Sequence, residues 1–139
     1  MTPLPEQMKW TALVEWEKGS TTRYRFENGQ VVFYREDSRP APCNYGCIPA
    51  VFNPADTAEV DVIWLDGPLP VGWTGPIQIS GLLHLEDQDH KVLTGDLKNI
   101  QPVLDWFPPE RGARVLPAQA ALDWLRSLWL EPPSHGSLR

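Results

Sequence analysis

Fifteen prolines in a chain of 139 residues restrict its folding more than any other feature. Each proline fixes its own φ, removes a backbone donor and disfavours helix at the residue before it. Their distribution predicts no long helix before residue 115, so short strands and turns must build most of the fold. Residues 10–16 and 22–27 read as strands. Asn28-Gly29 is a hairpin signal leading into a third strand over 30–34. A loop rich in Pro, Asp and Asn is expected from there to about residue 59. Val60-Asp61-Val62-Ile63-Trp64-Leu65 reads as an apolar strand carrying one carboxylate. Residues 76–85 give one long strand, or two broken at Gly81, and His90-Lys91-Val92-Leu93 is expected to pair with it after an acidic turn.

One helix is expected, and it comes last. Pro117 stands where a first-turn proline is tolerated. Ala118, Leu122, Leu125 and Trp129 then fall on one face, with Ala121, Trp124 and Leu128 beside it. Pro132-Pro133 should end it. Strands followed by a closing helix predict a mainly β (α+β) fold, a small barrel with a C-terminal helix packed on it. The length suits a single domain over 1–139.

No apolar run approaches the length that crosses a bilayer. The opening Met1-Thr2-Pro3-Leu4-Pro5-Glu6 lacks the basic and apolar regions of a signal peptide, so the cytoplasm is the expected location. Twelve Lys and Arg against eighteen Asp and Glu give a formal charge of −6. Such a surface repels nucleic acid and anionic lipid, and suits a cationic or metal-bridged ligand better. Cys43 and Cys47 have no second cysteine pair, and His84, His90 and His135 lie far off. Two buried thiols are therefore expected rather than a zinc site. The seven tryptophans are read as core packing.

Charge concentrates beside loops in three places: Asp56 to Asp61, Glu86 to Lys91, and the basic Arg23, Arg25 and Arg35 on the first hairpin. Hard cations take several oxygen ligands and leave positions for phosphate, and arginines grip phosphate bidentately. Acidic loops are also commonly just solvated. Asp56 alone would make an Asx turn, and Asp89 with Lys91 would make a surface ion pair. Asp61 is harder to explain that way, because a carboxylate on an apolar strand is costly unless paired or metal-bound.

Cys43-Asn44-Tyr45-Gly46-Cys47-Ile48-Pro49, followed by Asp56-x-x-x-Val60-Asp61-Val62, resembles the soluble family I inorganic pyrophosphatases. Leu69-Pro70-Val71-Gly72, Ile79-Ser80-Gly81-Leu82-Leu83 and Asp89-x-Lys91 continue the resemblance in order, over about residues 12–95, and Leu116-Pro117 is similar to the opening of the family's final helix. The resemblance implies a five-stranded OB-like barrel that hydrolyses pyrophosphate, or a related phosphoanhydride, with Mg2+. It implies Asp56, Asp61, Asp87, Asp89 and Glu15 as metal residues, with Glu15 acting through water. Arg23, Arg35, Tyr45 and Lys91 would bind substrate, and Asp61, Lys91, Arg35 and Tyr45 would serve catalysis. It also implies a homo-oligomer, which the apolar final helix would suit.

The departures matter too. Ala58 stands where the family's acidic motif has the aspartate that takes a proton from the attacking water. Losing a positioned general base costs roughly 10²–10⁴ in rate. Glu59 lies next to it, but a side chain directed elsewhere is expected. Ala41 replaces a tyrosine, Arg25 replaces a glutamate, and the loop carrying Asp87 is short. Two expectations follow: a phosphoanhydride hydrolase of weakened activity, or an inactive homologue that binds a phosphate ligand or a protein partner.

Overall fold

The computed structural model describes residues 9–130, so the expected helix stop at Pro132-Pro133, His135 and the opening segment at Met1–Glu6 lie outside the described residues. In chain order the elements are β1 (Lys9–Trp16), β2 (Thr22–Glu27), β3 (Gln30–Glu36), β4 (Asn44–Asn53), β5 (Ala58–Trp64), β6 (Thr74–His84) and β7 (Lys91–Thr94). Then come a short α1 (Gln101–Trp106), which corrects the expectation of one helix, β8 (Arg114–Pro117), which takes the proline expected in the final helix's first turn, and α2 (Ala118–Leu130). Strands β1, β4, β5, β7 and β6 pair in that order, and β6 pairs back onto β1. Five strands thus close a barrel, and β8 adds to the second half of β6. The β5–β7 pairing is parallel. Strands β2 and β3 form a separate hairpin. Its turn has φ of 53° at Asn28 and 80° at Gly29, the left-handed pair that a two-residue hairpin turn needs.

The expected loop over residues 35–59 is corrected by β4, the most extensively paired strand that the sequence concealed. Gly46 and Pro49 hid it, since both depress strand propensity. The structure uses both. A Cβ at Gly46 would collide with the Leu13 carbonyl oxygen, so glycine is what lets β4 approach β1. Pro49 falls where the β4–β5 register shifts, between Ile48 and Phe52, a position where no ladder donor is required. Strand β6 is single, with the irregularity at Gly81 absorbed as a register shift against β7.

Alternation sorts the side chains into two layers. Trp10, Ala12, Val14, Ile48, Val60, Val62 and Val92 join one core, into which α2 places Ala121 and Leu125, both fully buried. This is the expected apolar face of the final helix. The opposite faces of β4, β5 and β7 meet a second cluster that includes Cys43, Ile63 and Leu93, with Tyr45 packed against it. Trp10 and Trp64 are buried in the first core, as expected for packing tryptophans.

Candidate metal and phosphate site

The site residues occupy the strand faces that turn away from the first core. On β5, Glu59 and Asp61 alternate with Val60 and Val62. Asp61 pairs in register with Cys47 of β4 on one side and with Lys91 of β7 on the other. Glu15 lies near the end of β1, two positions beyond Leu13, which pairs with Cys47. Asp56 and Asp89 come from the turns that lead into β5 and β7. The side-by-side pairing of β1, β4, β5 and β7 is therefore what brings residues 15, 45, 61 and 91 together.

Asp56, Asp61 and Asp89 each offer a carboxylate oxygen, and these oxygens lie within 4.8 Å of one another. Lys91, nearly inaccessible to solvent, donates from Nζ to Asp61 Oδ2 at 2.5 Å and to Asp89 Oδ2 at 2.9 Å. Tyr45 directs its hydroxyl to Asp61. Burial works against the Lys91 ammonium, but Asp61 and Asp89 outweigh it and raise its pKa. The Asp56 carboxyl is pushed up to about 7, by burial first and then by the charges of Asp61 and Asp89. Burial also raises Asp61, with Lys91 opposing. Three carboxylates face one buried ammonium, with the Arg111 guanidinium 3.6 Å from Asp89 as the other nearby cation, and all the donors are hard oxygens. That donor set fits a divalent cation of the Mg2+, Ca2+ or Mn2+ kind.

Asp56 also makes the Asx turn, since its Oδ1 accepts from the Ala58 amide at 3.1 Å while Thr57 takes a φ of 54°. The turn aims the carboxylate rather than replacing its other role. Glu15 is buried and accepts the Phe26 amide at 2.5 Å, which ties the hairpin to the barrel. Burial pushes its carboxyl up to about 7; the Phe26 amide opposes this, while Asp61 and Glu59 add to it. Glu15 is thus beside Asp61 but outside the three-carboxylate cluster.

Other expected residues stand elsewhere. Asp87 lies on the neighbouring turn, and its Oδ2 accepts from Arg111 at 2.8 and 3.1 Å. Arg35 is half-exposed on the hairpin, 3.2 Å from Asp37, with no contact to the clustered acids. Arg23 corrects the expectation of a phosphate contact. It is 0% exposed, donates to the carbonyls of Ser20 and Arg39 at 2.7 and 2.6 Å, and lies 4.5 Å over the Trp16 ring. Burial first lowers its pKa, with Asp37 opposing. Sharing a strand with Arg25 concealed this difference, because Arg25 is exposed and paired with Glu27.

Two residues were missed by the sequence reading, and a third, Glu59, was set aside by it. Glu59 shares the Asp61 face of β5 but stays outside the three-carboxylate cluster, and its side chain has no hydrogen-bond or ion-pair partner among the described residues. Its charge is felt at Glu15 and Cys47; strict alternation along β5 was the available signal. Asn53 reaches Asp89 Oδ1 at 3.5 Å. Arg111 lies 3.6 Å from Asp89 as well as bonding Asp87. No local motif marks it, because a tertiary contact positions it: its carbonyl accepts the Glu86 amide. The thiols of Cys43 and Cys47 are free and buried, as expected.

No protein-family model matches the sequence, and neither does any curated protein. Solved structures do match. An inorganic pyrophosphatase from Coxiella burnetii superposes with a TM-score of 0.77 at 15% identity, over 94% of this chain and 98% of its own. That from Thermus thermophilus gives 0.72 at 20% identity, over 93% and 95%. That from Ehrlichia chaffeensis gives 0.66 at 22%, over 91% and 96%. At such identities the likeness establishes the fold. Among the described residues, no helix is long and apolar enough to cross a membrane.

Proposed function

We propose that this chain is a phosphoanhydride hydrolase that uses Mg2+ to cleave pyrophosphate into two phosphates. The observation that carries the reading is the meeting of Asp56, Asp61 and Asp89 within 4.8 Å, around a buried lysine, in a fold shared with proteins named inorganic pyrophosphatases.

Asp56, Asp61 and Asp89 would hold the cation, with Glu15 behind them. When bound, Mg2+ supplies charge neutralisation and a lowered pKa for water. The chain's own groups do the rest. Lys91, held between Asp61 and Asp89, presents a fixed cation to phosphate oxygen. Tyr45 orients Asp61 through its hydroxyl. Arg111, beside Asp87 and Asp89, grips the outer phosphate, a task the sequence had assigned to Arg23 and Arg35. Glu59, unpartnered on the Asp61 face, takes the proton that Ala58 cannot accept. The reading places the protein in a soluble compartment, as a single domain that assembles with copies of itself.

Phosphate release from pyrophosphate, measured with and without Mg2+, tests this directly. Mg2+-dependent turnover is expected; an absence of both turnover and Mg2+-dependent pyrophosphate binding would end the reading. Ala58 favours a second reading, an inactive homologue that only binds a phosphate ligand or a protein partner. That reading gains if Ala58→Asp creates phosphate release where the natural protein shows none.

A further inference from the structure

A cavity of about 510 Å³ opens beside the acid cluster, and its walls are wrong for a bare inorganic anion. Trp106, Phe107, Pro108 and Pro109 supply apolar and aromatic surface, while Arg39 and Arg111 supply two cations. A cavity within the roughly 300–1,000 Å³ range of organic-ligand sites, with aromatic surface set beside charged groups, suits a ligand that carries both a ring and a phosphate. Pyrophosphate has no apolar part to occupy such walls.

Two further observations give the cavity a direction. Arg111 belongs to both places: it lines the cavity, and its guanidinium reaches Asp87 at 2.8 Å and Asp89 at 3.6 Å. A ligand in the cavity is therefore one side chain from the carboxylates. Arg39 lies 3.9 Å over the Trp106 ring, and its side chain is 61% exposed. One side of the guanidinium thus rests on indole while the group stays open to solvent. Planar bases stack on guanidinium planes and aromatic rings alike. Asp105, also on the wall, offers an acceptor for sugar hydroxyls.

We infer that this cavity receives the base of a nucleoside diphosphate, whose terminal phosphate then lies at Asp56, Asp61 and Asp89. The inference rests on the hydrolase reading and narrows its substrate class. In the reaction, a water oxygen bonds to the terminal phosphorus and the bond from that phosphorus to the bridging oxygen breaks. The nucleoside monophosphate leaves with the bridging oxygen, inorganic phosphate is formed, and the proton lost by water passes to Glu59 and then to solvent. Arg111 contacts the phosphate retained by the nucleoside, and Arg39 stacks on the base.

The test uses the full chain with Mg2+ and three probes: ADP, an alkyl diphosphate without a ring, and inorganic pyrophosphate. ADP should give a kcat/KM at least about tenfold above the alkyl diphosphate, the scale expected of one stacked base. Arg39→Ala should remove most of that advantage, raising the KM for ADP several-fold more than that for pyrophosphate. Equal use of ADP and the alkyl diphosphate would overturn the inference, as would an Arg39→Ala effect equal on ADP and pyrophosphate. Cleavage of pyrophosphate without cleavage of ADP would sink this inference and leave the hydrolase reading standing. Cleavage of ADP without cleavage of pyrophosphate would support the inference and remove pyrophosphate as the substrate.

Discussion

Lys91 and Asp61 face each other across the parallel β5–β7 ladder, and the lysine Nζ donates to Asp61 Oδ2 at 2.5 Å. The lysine holds two of the three clustered carboxylates together, so its loss should be felt first as instability. Lys91→Met is expected to cost about 3–5 kcal/mol, the usual penalty for orphaning one side of a buried pair. Thermal melts in chelator and in excess Mg2+ check this: the deficit should shrink with Mg2+. An equal deficit in both would separate Lys91 from the metal site.

Divalent cations should stabilise the natural protein. At about one hundred times its dissociation constant, a ligand bound only by the folded state adds about 2.7 kcal/mol. Tm should therefore rise on adding Mg2+. Asp61→Asn and Asp89→Asn should abolish that rise, while Asp87→Asn, whose residue pairs with Arg111 instead, should retain most of it.

Glu59→Gln removes the unpartnered carboxylate on the Asp61 face and leaves the side chain's volume almost unchanged. Phosphate release should fall roughly 10²-fold or more, as for a lost general base, with little change in Tm. Undiminished turnover would assign the proton transfer elsewhere.

Arg23→Lys should act on folding rather than on ligand binding. The guanidinium donates to the Ser20 and Arg39 carbonyls, and an ammonium cannot reproduce that fork. About 1–3 kcal/mol of stability should be lost in denaturant unfolding, with Mg2+ and pyrophosphate affinities unchanged.

Acid should weaken the hairpin's anchorage through Asp37. The Arg39 amide holds its carboxyl below the ordinary value; burial opposes this, while Arg23, Arg35 and Arg39 reinforce it. A depressed carboxyl contributes stability above its unfolded pKa of about 3.9 and loses it as pH falls through the folded value. The natural protein should therefore exceed Asp37→Asn in stability at neutral pH, with the gap closing below about pH 4. A gap independent of pH would rule out the charge as its source.

The barrel's other strands and the final helix were legible because alternation and helical spacing are written into single segments. Strand β4 was not, because Gly46 and Pro49 break the local pattern for reasons that lie in neighbouring strands. Within the site, Asp61 announced itself as a carboxylate among apolar neighbours. Arg23 misled because nothing in its own strand reports that Trp16 and two carbonyls enclose it. Arg111 stayed invisible because only the link between its carbonyl and the Glu86 amide brings it to the acids.

Because β6 returns to β1, the ring has no loose end from which its strands can peel singly, and β5 and β7 each have neighbours on both sides. Amides of β5 and β7 should accordingly exchange with deuterium only through global opening, whereas those of the separate β2–β3 hairpin can exchange through a local excursion. Asp61 and Lys91 thus sit on the part of the molecule expected to open last, with Asp56 and Asp89 on the turns that lead directly into it.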